Sequence, residues 1–98
     1  MKLIFSDRAL SDLEQIGDYI SREAPENARR YVQKLINRAH KITLFVNAGR
    51  IVPEYQDEQL REVIIDHYRM VYEINRTKKK ITIITIFESH HLISDDLK

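Results

Sequence analysis

The sequence has no cysteine, and only two glycines and two prolines in 98 residues. Without cysteine the fold owes nothing to disulfides or thiolate-bound metal, and a reducing cytoplasm suits it. An excess of either charge is also missing, with sixteen basic residues against fifteen acidic ones and a net charge of +1. Broad electrostatic attraction to nucleic acid normally shows a clear basic excess, so any anion site here must be local. No apolar run reaches membrane-spanning length, and the apolar start Met1 to Phe5 is too short for a signal peptide. There is no phosphate-binding glycine loop, no nucleophile elbow, and no paired metal-ligand spacing beyond His90-His91. Internal repeats and low-complexity runs are absent too. These absences lead us to expect one domain over residues 1–98, with no cofactor, no metal and no membrane partner.

What the chain does have is a change of periodicity. Lys2 to Phe5 reads as a short apolar strand, and Ser6 or Asp7 can cap the helix that follows. Ala9, Leu13, Ile16 and Ile20 recur at helical spacing, with Gly17 placed to let a second helix approach closely. Pro25 and Glu26 suit the first turn of that second helix. Its apolar stripe runs through Ala28, Tyr31, Val32, Leu35, Ile36, Ala39 and Ile42 towards Phe45. Two amphipathic helices joined by so short a linker predict an antiparallel hairpin. Asn47-Ala48-Gly49 then breaks the helix, and Gly49 most simply supplies a positive φ.

From Val52 onwards the pattern is that of strands. Leu60 to Ile65 and Tyr68 to Ile74 predict a β-hairpin about Asp66-His67, a pair without the glycine that a tight turn prefers. Pairing Ile65 with Tyr68 sets Val63 opposite Met70 and Arg61 opposite Tyr72, on a nearly apolar face. On the other face Arg69 lies diagonal to Glu62, on a surface too charged to be buried whole. Asn75 to Lys79 reads as a turn, and Lys80 to Phe87 as a strand apolar enough for the middle of a sheet. Residues 94–98 read as a frayed tail. The order predicts α+β: an N-terminal strand and an antiparallel helix hairpin packed on one face of a mainly antiparallel sheet of about four strands.

Arg69 stands out among residues able to do chemistry. An arginine central in a strand, beside Val71 and across from Ile64, needs an anionic partner. That partner is either Glu62, in a structural ion pair, or a phosphate or acidic side chain of another molecule. Arg50 and Arg61 read as solvated or locally paired. Glu54 and Tyr55 either gate a cleft or cover a sheet edge. Tyr68 and Tyr72 belong on the apolar face as core residues with a satisfied hydroxyl. His90 and His91 read as a surface pair, and one of them near Arg69 would have a pKa suited to acid–base work.

Taken together, Gly49-Arg50-x-Val52-Pro53-Glu54, Arg61-Glu62 and Tyr68-Arg69-x-x-Tyr72 resemble the ParE/RelE superfamily of toxins from bacterial type II toxin–antitoxin systems. Ala9-x-x-Asp12-Leu13-x-x-Ile16-x-x-Tyr19-Ile20 and Pro25-x-x-Ala28-x-x-Tyr31 match the same pattern, so the resemblance runs from Ser6 to Leu92. It implies a RelE/ParE-like fold, a cytoplasmic location, and neutralisation by a cognate antitoxin in a toxin–antitoxin hetero-oligomer. RelE-like members cut mRNA on the ribosome, and ParE-like members poison DNA gyrase. The RelE-like alternative would draw catalytic residues from Arg69, Arg61, His90 and His91. The ParE-like one would bind its target through Arg50, Glu54, Glu62 and Arg69. The lysines of RelE-like enzymes fall here near Leu60 and Glu62, and Glu88-Ser89-His90-His91 stands where basic residues commonly follow a histidine. Gly49-Arg50, Pro53-Glu54 and Arg61-Glu62 lean to the ParE side, so the resemblance implies a gyrase-directed, plasmid-stabilising type of toxin. A further expectation is a non-toxic interaction domain that has kept the fold.

Overall fold

Ser6 shows how the first helix is fixed. In the computed structural model, which describes residues 1–89, its Oγ accepts from the Ala9 N–H at 3.0 Å and donates to the Ile84 carbonyl at 2.7 Å. The residue thus caps the helix and ties it to a distant strand. The expected C-terminal tail lies outside the described residues.

Strand β1 (Lys2–Phe5) is followed by helices α1 (Asp7–Ser21) and α2 (Pro25–Ile42), with Pro25 in the first turn of α2. Gly17 sits where the helices cross: a Cβ there would stand 3.3 Å from Val32 Cγ2, tighter than ordinary packing. Helix α2 stops at Ile42, short of Phe45, and Leu44 and Phe45 are exposed.

Strands β2 (Arg50–Ile51), β3 (Leu60–Ile65), β4 (Tyr68–Asn75) and β5 (Lys80–Glu88) complete one five-stranded sheet in the order β1-β5-β4-β3-β2. All neighbours are antiparallel except β1 and β5. The fifth strand beyond the expected four is β2, two residues long and too short to show a period of two. The β3–β4 register is the one expected, with Ile65 opposite Tyr68 and Arg61 opposite Tyr72. Asp66 takes the role of the missing glycine, with φ of 55°. Aspartate is among the few residues that adopt this left-handed region readily.

The helices cover one face. Leu13 and Ile16 of α1 and Leu35, Ala39 and Ile42 of α2 bury against Met70, Tyr72, Ile74, Ile81, Ile83 and Ile86. Each such large side chain removed from water contributes about 1.5–3 kcal/mol, so this layer dominates stability. A bulge between Val71 and Tyr72 leaves Ile84 without a partner on β4. Its carbonyl accepts from Ser6 Oγ, and beside it Asp12 Oδ2 of α1 accepts from Thr85 Oγ1 and the Ile86 N–H at 2.6 and 2.9 Å. A bulge disrupts the ladder locally, so these side-chain bonds fix it as a defined feature.

As expected, the charged face of the hairpin is not buried whole: Glu62, Arg69 and Val71 in its middle are 1%, 5% and 0% exposed, while Ile64 and Glu73 on the same face stay open to solvent. The chain between β2 and β3 brings the Glu54 carboxylate onto Arg69, so the charges are neutralised inside the protein. Against expectation, Gly49 has no positive φ, and its need is for space. A Cβ there would stand 2.5 Å from Tyr72 Oη and 2.7 Å from the Glu62 carbonyl oxygen.

Candidate functional site

Arg50, Glu54, Glu62 and Arg69 converge on the face opposite the helices. Register explains why: Arg50 is opposite Glu62 on β2 and β3, and Arg69 of β4 lies on the same pleat one step along. Arg69 Nε donates to Glu62 Oε2 at 3.0 Å, and its Nη2 to Glu62 Oε1 at 2.5 Å. Its other edge meets Glu54, Nη1 to Oε2 and Nη2 to Oε1, both at 3.1 Å. One planar guanidinium therefore holds two carboxylates, each bidentately, a geometry that an ammonium cannot reproduce.

The outer member is Arg50, whose Nη2 donates to Glu62 Oε2 at 3.1 Å while its side chain stays 62% exposed. Two guanidinium groups and two carboxylates balance, which is how a fully buried Glu62 is tolerated. Phe87 of β5 closes the cluster, its ring centroid 5.2 Å from the Arg69 guanidinium carbon. Burial alone would push the Arg69 pKa down, but the hydrogen bonds it donates to Glu54 and Glu62, with the charges of those carboxylates, outweigh it and the pKa rises. Arg69 is a permanent cation with its charge already spent.

Arg61 serves the backbone instead. Its Nε donates to the Glu58 carbonyl at 3.0 Å and its Nη1 to the Gly49 carbonyl at 3.1 Å. It thus braces the connection from α2 into β2. Tyr72 fastens the same connection from below: its hydroxyl donates to the Val46 carbonyl at 2.8 Å and accepts from the Gly49 N–H at 3.1 Å. The phenol's pKa is raised above the ordinary 10.0 by burial, partly offset by that N–H. Tyr72 is the core residue with a satisfied hydroxyl that its face predicted.

The structure thus brings Arg50, Glu54, Glu62 and Arg69 together and places Arg61 apart from them. His90 and His91 lie outside the described residues. Among the described residues no group of three or more His, Asp or Glu side chains could hold a metal ion. Sequence reasoning missed the part played by Asp12. Nothing at the sequence level announces a bulge, and only its place within the helical pattern shared with a toxin superfamily drew notice.

The family model described as the ParE toxin of the type II toxin–antitoxin system parDE matches residues 3–92. Among solved structures, the chromosomal ParDE toxin–antitoxin system from P. aeruginosa is similar with a TM-score of 0.75 and 22% identity, covering 90% of this chain and 95% of that one. The RelBE2 toxin–antitoxin complex from Mycobacterium tuberculosis gives 0.66 at 14% identity, over 92% of each chain. The isolated E. coli RelE toxin gives 0.62 at 16% identity, over 93% of this chain and 86% of that one. At these identities the structural likeness speaks for the fold. A comparison with curated proteins gives no match. With a family model matched over nearly its whole length, the chain belongs to the ParE toxin family of type II toxin–antitoxin systems.

Proposed function

We propose that this toxin arrests growth by engaging DNA gyrase, in the cytoplasm, and that a cognate antitoxin holds it silent in a hetero-oligomer. The observation that supports this reading is the commitment of Arg61 and Arg69. A ribosome-dependent nuclease must stabilise a developing phosphorane charge and move two protons. Here Arg69 is locked between Glu62 and Glu54, Arg61 is spent on carbonyl groups, and Arg50 is the one of the three that stands mostly in solvent, paired with Glu62. Releasing Arg69 to a phosphate would strand Glu62, a buried carboxylate, at a cost of about 3–5 kcal/mol. Binding a protein target asks only for a shaped surface with a few anchors. Leu10, Tyr19, Leu44, Phe45, Ile51 and Ile64 are exposed apolar side chains of the kind that a target or an antitoxin segment would cover.

Expression in a bacterial host lacking the antitoxin tests the proposal. Growth arrest should come with altered plasmid supercoiling while bulk translation continues at first. Arrest with translation stopping before any change in topology would refute it. Co-expression with the neighbouring gene should restore growth and give a complex that purifies as one species.

A further inference from the structure

The charge of this chain is balanced overall but not locally. Helix α2 carries Arg29, Arg30, Lys34, Arg38 and Lys41 against a single acidic residue, Glu26. Arg30, Lys34, Arg38 and Lys41 are spaced four, four and three apart, so they share one face of the helix. That face borders a groove of about 400 Å³ lined by Arg30, Gln33, Lys34, Asn37, Arg38 and Lys41. All six are hydrogen-bond donors, and Ile65 at the end of β3 is the one apolar residue beside them in the lining. Between the helices the charges are mixed, with Glu14 and Asp18 of α1 near Arg29. The groove beside β3 has no carboxylate in its lining. Among the described residues Arg30, Arg38 and Lys41 form no ion pair, and Lys34 alone is paired, with Asp66 at 2.8 Å.

We propose that this face of α2 is a docking surface for the phosphate backbone of duplex DNA. From Arg30 to Lys41 the helix advances about 16 Å at 1.5 Å per residue. Over that length a duplex carries about ten phosphates on its two strands, one per roughly 1.7 Å of axis, enough to answer four cations. The lining has no aromatic side chain on which the bases of a single strand could stack. It also lacks the buried aromatic or aliphatic anchors that centre a protein interface. Asp66 sits at one end as a local brake, its carboxylate accepting from both Lys34 and Tyr31. The surface lies in the helix layer, away from the Arg69 cluster, and its action does not depend on gyrase being the target.

The test is fluorescence anisotropy with the full chain and a labelled 20-base-pair duplex, titrated at several salt concentrations without gyrase. With about four phosphate contacts, the plot of log affinity against log salt should fall with a slope of roughly −3.6. Replacing both Arg38→Gln and Lys41→Gln should reduce that slope by about two. Asp66→Asn keeps a residue suited to the positive φ and releases Lys34, so it should tighten binding severalfold. Circular dichroism of each variant checks that the fold is retained. A slope unchanged by the double substitution, or equal binding of a single strand of the same length, would overturn the proposal. Displacement of the duplex by polyglutamate at matched charge would assign the groove to an acidic peptide and overturn it as well. Because gyrase is absent, either failure leaves the gyrase reading to its own experiment.

Discussion

Cutting the Arg69–Glu62 pair from one side should cost far more than removing both partners. Glu62 has a fully buried side chain, and that of Arg69 is 6% exposed. Arg69→Leu would leave Glu62 with Arg50 as its one remaining cation, bonded through a single contact. Orphaning a buried charge in this way costs about 3–5 kcal/mol. For a domain of this size each kcal/mol shifts the melting temperature by about 4–8 °C, so the single variant should melt at least 12 °C lower. Glu62→Leu should be similar, since it takes from the guanidinium beside Phe87 the buried carboxylate that meets its Nε edge. Arg69→Leu combined with Glu62→Leu removes both charges from the interior and should recover most of the loss. Glu54, with 27% of its side chain exposed, can turn to water in that variant. Urea denaturation of the four proteins, arranged as a double-mutant cycle, gives a coupling energy of several kcal/mol if this is right. Singles that each cost under 1 kcal/mol, or a double variant as unstable as their sum, would refute the reasoning. The folded double variant should keep its toxicity if the cluster only holds the β2–β3 connection in place.

Other parts of the structure give equally direct expectations. Gly49→Ala should destabilise by about 1–3 kcal/mol, because its Cβ meets a backbone oxygen as well as the phenol. Adding Tyr72→Phe should relieve only part of that loss, read by the same denaturation curves. Asp12→Ala should cost about 1–3 kcal/mol by leaving the Ile86 N–H unpaired at the bulge, with hydrogen exchange of that amide accelerated. Alkaline stability should depend on Tyr72. Its folded pKa lies above the unfolded 10.0, so its contribution is complete below pH 10 and lost as pH rises through the folded value. A Tyr72→Phe variant should show a shallower decline above pH 10, measured by melting temperature against pH.

How much of this was legible beforehand depended on the range of the interaction. The helices and the β3–β4 register follow from patterns that lie within a few residues, so Leu13, Leu35, Val63 and Met70 could be placed directly. The pairing of Arg69 with Glu62 also followed, because one hairpin holds both. Glu54 was out of reach: it comes to Arg69 through a loop whose path depends on Val52 packing and on Tyr72 gripping Gly49. The same loop covers the middle of the charged face, at Arg69 and Glu62, and leaves Ile64 and Glu73 open to solvent. Gly49 was understood for the wrong reason, since a glycine near a helix end suggests a backbone angle and not a phenol 23 residues away. The parallel pairing of β1 with β5 joins the two ends of the described chain, and no local pattern encodes that.

With Arg69 and Arg61 committed to internal partners, this ParE-family chain should act on gyrase and not as a nuclease. The most direct measurement supplies the purified toxin to gyrase and plasmid DNA in one reaction, and to translating ribosomes with an mRNA in another. The account predicts inhibited supercoiling or accumulated cleaved DNA in the first, relieved by the antitoxin, and intact mRNA in the second. Cleavage of mRNA on the ribosome, abolished by Arg69→Lys with gyrase unaffected throughout, would contradict it.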